Sequence, residues 1–514
     1  MRIYCQYQTT LIFLLFLAFW LYFWYYLLID LVYGVTHLVI PLQPLKNREL
    51  KAFVTSAYYY PTSKSLGDNA VALVMSINLG RNQEEYLEIE SGKSTDSGEI
   101  SIWAKNATTS ILVNTPSIRV TPHNFCEMVT IFATTQLLPN IQSILLVAED
   151  GSTEIPFSIP SYKPRDFVVC LSPLYVFEQW QNFLLSVHIY KKFGGFLHLY
   201  LISVVSPLFS LMKQYESADY LKIQAWPRVN FPFIMPKYVD PFVGVEFQNQ
   251  AAAYTDCLLQ YKESAQFITF LDIDDVIIPR LAPTYVEEFQ KIIGSQKRIS
   301  YIIYHQKSYN LKVSKRSSEF SISKMLKNLK FRDGNFGSGQ KIVANPRYLN
   351  YTWIEPTSFS MAGTSYVDTD KNVITQLDNI KWTNSISTTS QAPLYLNSSE
   401  YLISPENLED LDSDFQKMQK SFEIDQILPD LPSKLYYFNS VRSCLTKKYF
   451  NYVKLEKYGK TQCPGPQMCK FQKRWGVQCV HVNATHVLMK KLNPITYYYA
   501  SDPYFTSDMG CVPQ

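Results

Sequence analysis

The segment Phe267-Ile-Thr-Phe-Leu271, followed at once by Asp272-Ile-Asp274-Asp275, constrains this chain more than any other stretch. The first part reads as a buried strand, and three carboxylates follow within four positions. An unpaired buried carboxylate costs several kcal/mol, so the cluster calls for a compensating cation. In a strand, residues i and i+2 project to the same side. Asp272 and Asp274 are therefore expected to share one divalent ion, held through oxygen alone and of the Mg2+ or Mn2+ kind.

The surroundings of this strand predict an α/β domain over residues 166–440. Residues 167–171 read as a strand, and 178–193 as a helix ending at Gly194-Gly195. Strand, helix, strand and helix follow at 197–205, 207–217, 221–226 and 247–262. Alternation at this spacing predicts a mainly parallel sheet. Ligands of such sheets bind beyond the carboxyl ends of strands, which is where Asp272 and Asp274 fall.

Residues 11–29 are nineteen in a row without a charge, long enough to span a bilayer. The run is followed by Asp30 rather than by a small-residue cleavage site, so an uncleaved anchor is expected rather than a signal peptide. Residues 1–10 then form a cytosolic tail. Residues 30–65, with prolines and a Tyr-Tyr-Tyr-Pro run, read as a stem. Residues 66–165 show short alternating runs at 71–77, 86–90, 100–103, 143–147 and 155–159, the pattern of a small all-β module, read as a spacer.

Four Asn-x-Ser/Thr sequons, at Asn106, Asn350, Asn397 and Asn483, all follow the apolar span. One cysteine (Cys5) precedes it and eight follow, an even number suited to disulfides in an oxidising lumen. A zinc site at Cys444, Cys463, Cys469 and Cys479 lacks paired C-x-x-C spacing. Residues 441–514 are read as a disulfide-stapled tail. Net charge is only +4 with both signs dispersed, which gives no footprint for nucleic acid.

Several further segments carry a family resemblance. They are Val168-Val-Cys-Leu-Ser-Pro-Leu174, Glu178-Gln-Trp180, Leu199-Tyr-Leu-Ile-Ser203, Tyr215-Glu216, Ile223-Gln-Ala-Trp-Pro227, Gln250 to Cys257, Phe270-Leu-Asp-Ile-Asp-Asp275 and Lys341-Ile-Val-Ala-Asn-Pro346. In this order and spacing the chain resembles glycosyltransferase family 92, nematode type, over residues 165–440. The resemblance implies a GT-A fold, Rossmann-like, in a single-pass type II Golgi protein with a lumenal catalytic domain. It implies transfer of a hexose, galactose in similar enzymes, from a UDP-sugar donor to a glycan acceptor with Mn2+. On that reading Asp272 and Asp274 bind the metal–diphosphate, and Lys341 pairs with a phosphate or is a surface lysine at a strand edge. An inverting transfer also needs a carboxylate base; Glu355, Asp368 and Asp378 are available, Glu355 and Asp378 foremost.

The chain departs from the family pattern in three places. Asp275 stands where the family reads glutamate. Trp353 is followed by Ile354-Glu355 where many members carry a histidine, and Tyr395-Leu-Asn397 stands near a usual His-Tyr-Arg. Glu355 is a substitute oxygen ligand or base on this reading. The alternative is a catalytically degenerate member that binds nucleotide sugar or acts as a lumenal scaffold. His188 and His305 are read as structural, and Trp226, Trp353 and Trp382 as core.

Overall fold

The computed structural model describes residues 50–78, 98–122, 126, 128–231, 244–296, 298–331, 339–356, 362–383, 395–397, 400–401, 403–451, 463–465, 471, 474–487 and 491–512. The apolar span at 11–29, the stem as far as residue 49 and the strand expected at 86–90 lie outside them. Among the described residues no helix is long and apolar enough to cross a membrane.

The first sheet begins with β1 (Leu50–Tyr60), β2 (Ala70–Asn78), β3 (Glu99–Lys105), β4 (Ser110–Arg119), β5 (Met128–Gln136), β6 (Ser143–Ala148) and β7 (Gly151–Ile155). They run in the order β1-β2-β5-β4-β3-β6-β7, every pair antiparallel. Residues 50–60, expected in the stem, are therefore a strand inside this sheet. The reason is legible afterwards: Phe53, Tyr58 and Tyr60 point to one core and Ala52, Val54, Ala57 and Tyr59 to another, the period of a strand buried on both faces.

The α/β part follows as β8 (Arg165–Leu171), α1 (Trp180–Lys192), β9 (Gly195–Leu201), β10 (Ser203–Val205), α2 (Ser206–Ser217), β11 (Leu221–Ala225), α3 (Gln250–Tyr261), β12 (Ala265–Leu271) and β13 (Asp275–Ile277). Then come α4 (Tyr285–Ile293), β14 (Ile299–Ser314), α5 (Ile322–Lys327), β15 (Lys330–Phe331), β16 (Gln340–Ala344), β17 (Gly363–Tyr366) and β18 (Ile374–Thr383). The main strand order is β11-β9-β8-β12-β16-β14-β18-β13. The half β11-β9-β8-β12 is parallel. Beyond it the sheet is mixed: β14–β18 is parallel, whereas β12–β16, β16–β14 and β18–β13 are antiparallel. The antiparallel pairs all involve strands after the carboxylates, where β14 also pairs in parallel with β17 and β18.

Gly194, at φ +88°, ends α1 in the left-handed conformation that glycine adopts most cheaply. In β8, Phe167, Val169 and Leu171 enter a core shared with α1 and α2, while Val168 and Cys170 enter one shared with α3. That second core also takes Phe53, Tyr58 and Tyr60 of β1 and Phe132 of β5. Helix α3 thus lies between the two sheets, packed on both. The β region does not stand apart as a spacer; residues 49–514 are one compact unit.

The chain closes with the hairpin β19 (Tyr395–Asn397) and β20 (Glu400–Tyr401), helices α6 (Pro405–Gln419), α7 (Phe422–Ile427) and α8 (Phe438–Leu445), and strands β21 (Gln478–His486) and β22 (Ile495–Met509). β22 pairs in parallel with β1, and β21 pairs with β10. The stretch expected as a separate stapled tail therefore completes the first sheet. Disulfides join Cys126–Cys463, Cys170–Cys257 and Cys479–Cys511, and Cys444 is also disulfide-bonded. These bonds take up three of the four cysteines considered for zinc.

Candidate active site

Strand order locates the site. From β8 the chain moves outward to β9 and β11, then returns to place β12 on the other side of β8. This is a topological switch point, where the loops leaving neighbouring strands diverge and open a crevice. The loop after β8 carries Ser172 to Gln179, and the turn after β12 carries Asp272 to Asp274. Ser172 donates its backbone N–H to the carbonyl of Leu271 at 3.0 Å, and its side chain hydrogen-bonds Asp272.

Asp272 to Asp275 form a turn rather than strand, closed by the Asp275 N–H on the Asp272 carbonyl at 3.0 Å. The alternation expected for a strand survives in exposure: Asp272 and Asp274 are half-buried, Ile273 and Asp275 buried. Asp272 keeps 38% of its side-chain surface open. Its Oδ1 accepts from Gln250 Nε2 at 3.2 Å, and its Oδ2 from Lys341 Nζ at 3.1 Å. The Asp274 carbonyl accepts from the Leu377 N–H of β18 at 2.8 Å.

Asp275 points inward. Gln306 Nε2 donates to both its carboxylate oxygens, at 2.9 and 3.0 Å, and Lys341 Nζ lies 3.7 Å away. Gly339 leaves room for this: a Cβ there would sit 1.8 Å from Gln306 Oε1. Burial pushes the Asp275 carboxyl up to about 7 against the pull of Lys341, with Asp272 adding repulsion. Burial also acts on Asp272, but Lys341 and the hydrogen bonds of Ser172 and Gln250 outweigh it and hold that carboxyl below its ordinary value. Lys341 is buried, not a surface lysine, and is committed to the two carboxylates. Although burial alone would lower its ammonium, Asp272, Tyr254 and Asp275 raise it well above the ordinary lysine value.

Beside the turn lies a pocket of about 180 Å³, lined by Pro173 to Gln179, Phe247, Gln248, Ile273 and, from α8, Phe438, Val441 and Leu445. Drug-sized ligands fill on the order of 300–1,000 Å³, so this pocket suits a ring-sized fragment. Its wall is strained. Val176, Phe247 and Gln248 of the wall, and Asn249 next to it, have left-handed backbones, with φ of 46°, 39°, 58° and 66°. Each costs about 1–3 kcal/mol, and such outliers gather at ligand clamps and active sites. Nothing in the sequence marks them, because none is glycine.

Glu178, 1% exposed, fastens α8 to this wall. Its carboxylate accepts the N–H groups of Tyr436, Tyr437 and Phe438 at 2.6–2.8 Å. Burial raises the carboxyl even so. Glu178→Ala strands three amides, each left short of a bond worth about 1.5–3 kcal/mol when the partner is charged. The expected result is a loss of at least about 3 kcal/mol in urea unfolding.

The other expected residues fall elsewhere. Glu355 is exposed on the loop after Trp353. Thr255 Oγ1 donates to the Thr352 carbonyl at 3.1 Å and Trp353 is buried, which anchors the loop to α3 and turns Glu355 to solvent. Among the described residues no three His, Cys, Asp or Glu side chains are grouped to hold a metal, so Glu355 does not join the Asp272–Asp274 pair. Asp378 lies on β18, one residue past Leu377 and so beside the carboxylate turn; its side chain is outside the described set. His188 is structural: buried on α1, its Nδ1 lies 2.7 Å from Oδ2 of the half-buried Asp414 and its Nε2 lies 2.8 Å from the buried Tyr215 hydroxyl. Trp226 and Trp353 are core residues.

A divalent ion fits this donor set on one condition. The protein offers two half-open carboxylates and no third acidic or histidine ligand among the described residues. Mg2+ and Mn2+ sites of this kind fill with water and substrate phosphates.

Comparison with known proteins gives the class. The model of the family described as Glycosyltransferase family 92 matches residues 165–419. Glycosyltransferase family 92 protein C33H5.2 of Caenorhabditis elegans is 48% identical over 473 residues, covering 91% of this chain and 92% of that one. Protein F13G3.3 of the same family and organism is 32% identical, covering 89% and 90%. Among solved structures, S. aureus TarS 1-349 in complex with UDP-GlcNAc is 12% identical to this chain, the match covers 52% of this chain and 71% of that one, and the TM-score is 0.23. The mixed α/β fold and these relatives make the molecule a glycosyltransferase by class. The chain belongs to glycosyltransferase family 92.

Proposed function

We propose that the protein transfers a hexose, galactose by family resemblance, from a UDP-sugar to a glycan acceptor with inversion, on a GT-A-like domain. The observation that carries this reading is the Asp272–Asp274 pair at the mouth of the switch-point crevice, beside a ring-sized pocket. Asp272 and Asp274 hold a divalent ion, Mn2+ by family resemblance. When bound, the ion supplies Lewis-acid stabilisation of the leaving diphosphate. Lys341 and Gln250 fix the Asp272 carboxylate, while Asp275 stays inside with Gln306 and does not compete for the ion. The acceptor hydroxyl forms the new bond to the sugar's anomeric carbon, the bond to UDP breaks, and a carboxylate takes the hydroxyl proton. Asp378 is the better placed of the two expected bases, because its neighbour Leu377 is tied to Asp274; Glu355 is the other. Disulfides and sequons support a lumenal Golgi setting behind an anchor at 11–29.

A second reading, a member that binds nucleotide sugar without turnover, is favoured because no third protein ligand groups with the pair among the described residues. Incubating the purified full-length chain with UDP-galactose and other UDP-sugars separates the two. Release of UDP that rises with Mn2+ is the expected result. Metal-dependent binding with no release from any donor establishes the second reading.

A further inference from the structure

The strained turn before α3 is held from the first sheet. Asn249 is 2% exposed. Its Oδ1 accepts from Ser76 Oγ of β2 at 2.9 Å and from Thr130 Oγ1 of β5 at 3.4 Å, and its Nδ2 donates to Thr55 Oγ1 of β1 at 3.3 Å. Two neighbours are pinned as well. The Phe247 N–H donates to the carbonyl of Pro464 at 2.5 Å, next to Cys463, which is bonded to Cys126 at the entry to β5. Trp226 Nε1 donates to the Gln248 carbonyl at 3.0 Å. Upstream, Met128 of β5 donates its N–H to Gly244 at 2.7 Å, so the loop runs along the sheet. Left-handed residues of this kind persist only where the surroundings over-determine them.

What the turn delivers is the site. Phe247 and Gln248 line the pocket. Gln250, one residue past Asn249, donates to Asp272 Oδ1 and to the Tyr254 hydroxyl. Cys257, further along α3, is bonded to Cys170, two residues before Ser172, which also reaches Asp272. Both side-chain partners of Asp272 other than Lys341 are therefore referred to α3, and α3 begins at the Asn249 clamp.

We propose that Asn249 is a positioning residue through which the N-terminal β-sheet sets the donor site. Its bonds to Thr55, Ser76 and Thr130 fix the turn that seats Phe247 and Gln248 in the pocket wall and Gln250 against Asp272. The sheet is thereby part of the donor-binding machinery, although none of its described residues lines the pocket. The inference rests on reading Asp272 as a donor-site residue.

The test uses the full-length chain and four variants: Asn249→Ala, Asn249→Gly, Ser76→Ala and the double Asn249→Ala/Ser76→Ala. UDP affinity in saturating Mn2+ is measured by calorimetry, and hydrogen exchange is followed at residues 247–254 and 272–275. Asn249→Ala and Asn249→Gly are expected to weaken UDP binding about tenfold, and Ser76→Ala by less. The double variant should be no weaker than Asn249→Ala, because both remove one network. Glycine adopts the left-handed backbone freely, so its failure to rescue assigns the effect to the side chain. Wild-type affinity in Asn249→Gly overturns the clamp, as does a lowered melting temperature in Asn249→Ala and Ser76→Ala with affinity and local exchange unchanged. If the wild type binds no UDP, the proposed function falls and exchange decides the clamp alone. Faster exchange at both segments in Asn249→Ala and Ser76→Ala upholds it, and unchanged exchange refutes it.

Discussion

Asp274→Ala is expected to lower metal-stimulated sugar transfer about a thousandfold while leaving the fold intact. Lewis-acid stabilisation by a bound ion is worth several kcal/mol of barrier, and each 1.36 kcal/mol is a factor of ten in rate. The effect should sit at the high end because the protein has little to fall back on. Asp272 and Asp274 are the half-open carboxylates of the turn, and no third acidic or histidine side chain groups with them among the described residues. The Asp274 carbonyl accepts the Leu377 N–H of β18, a backbone bond that alanine retains. Circular dichroism and melting temperature therefore stay near wild type while UDP release with Mn2+ collapses. A variant with more than a tenth of wild-type metal-stimulated activity would show that the ion is held elsewhere.

Lys341→Met is expected to lower stability strongly. Lys341 lies 3.1 Å from Asp272 and 3.7 Å from Asp275, and Asp275 has no exposed side-chain surface. Removing one partner of a buried pair costs about 3–5 kcal/mol, because an uncompensated charge remains. The pH dependence has a definite sign in chelator-treated protein. The native carboxyl of Asp275 is raised to about 7 from an ordinary 3.8. A raised carboxyl favours the native state fully below its unfolded value, and that contribution is lost as pH rises through the native value. Lys341 normally limits this loss by drawing the Asp275 value down, and it also keeps Asp272 charged. The gap between Lys341→Met and wild type should therefore be narrow near pH 5 and wide at pH 8. Adding Asp275→Asn to Lys341→Met should recover much of the loss at pH 8 by removing the stranded charge. Urea unfolding at both pH values reads this directly; an equal gap at both would show that Lys341 acts through packing of its stem.

The parts of this molecule visible in sequence are those carried by local rules. The alternation of apolar runs located β8, β9, β11 and β12, and Gly194 ended α1 where its left-handed backbone required. Asp272 and Asp274 stood out because carboxylates after a buried strand need compensation. Four things were not legible, each for a physical reason. The mixed character of the sheet depends on how β14, β16 and β18 return, and strand pairing between distant segments leaves no mark on a single strand's pattern. Residues 50–60 passed for a stem because tyrosine and alanine serve exposed and buried surfaces alike. The Asn249 clamp was invisible because its partners lie from 119 to 194 residues away and its left-handed neighbours, Phe247 and Gln248, are residue types that seldom adopt that conformation. The placement of Glu355 depended on Trp353 and Thr352 docking against α3, a tertiary contact that overrode simple proximity to a tryptophan motif.

The central claim is that Asp272 and Asp274 together hold a divalent ion that meets the donor's diphosphate. Titrating UDP into the full-length chain by calorimetry, with Mn2+ and after chelation, tests it most directly when repeated on Asp272→Asn and Asp274→Asn. The account predicts tight UDP binding by the wild type in Mn2+, a loss of at least about tenfold after chelation, and little difference between the two conditions in either variant. UDP binding of equal strength with and without metal in the wild type, unchanged in both variants, would contradict it.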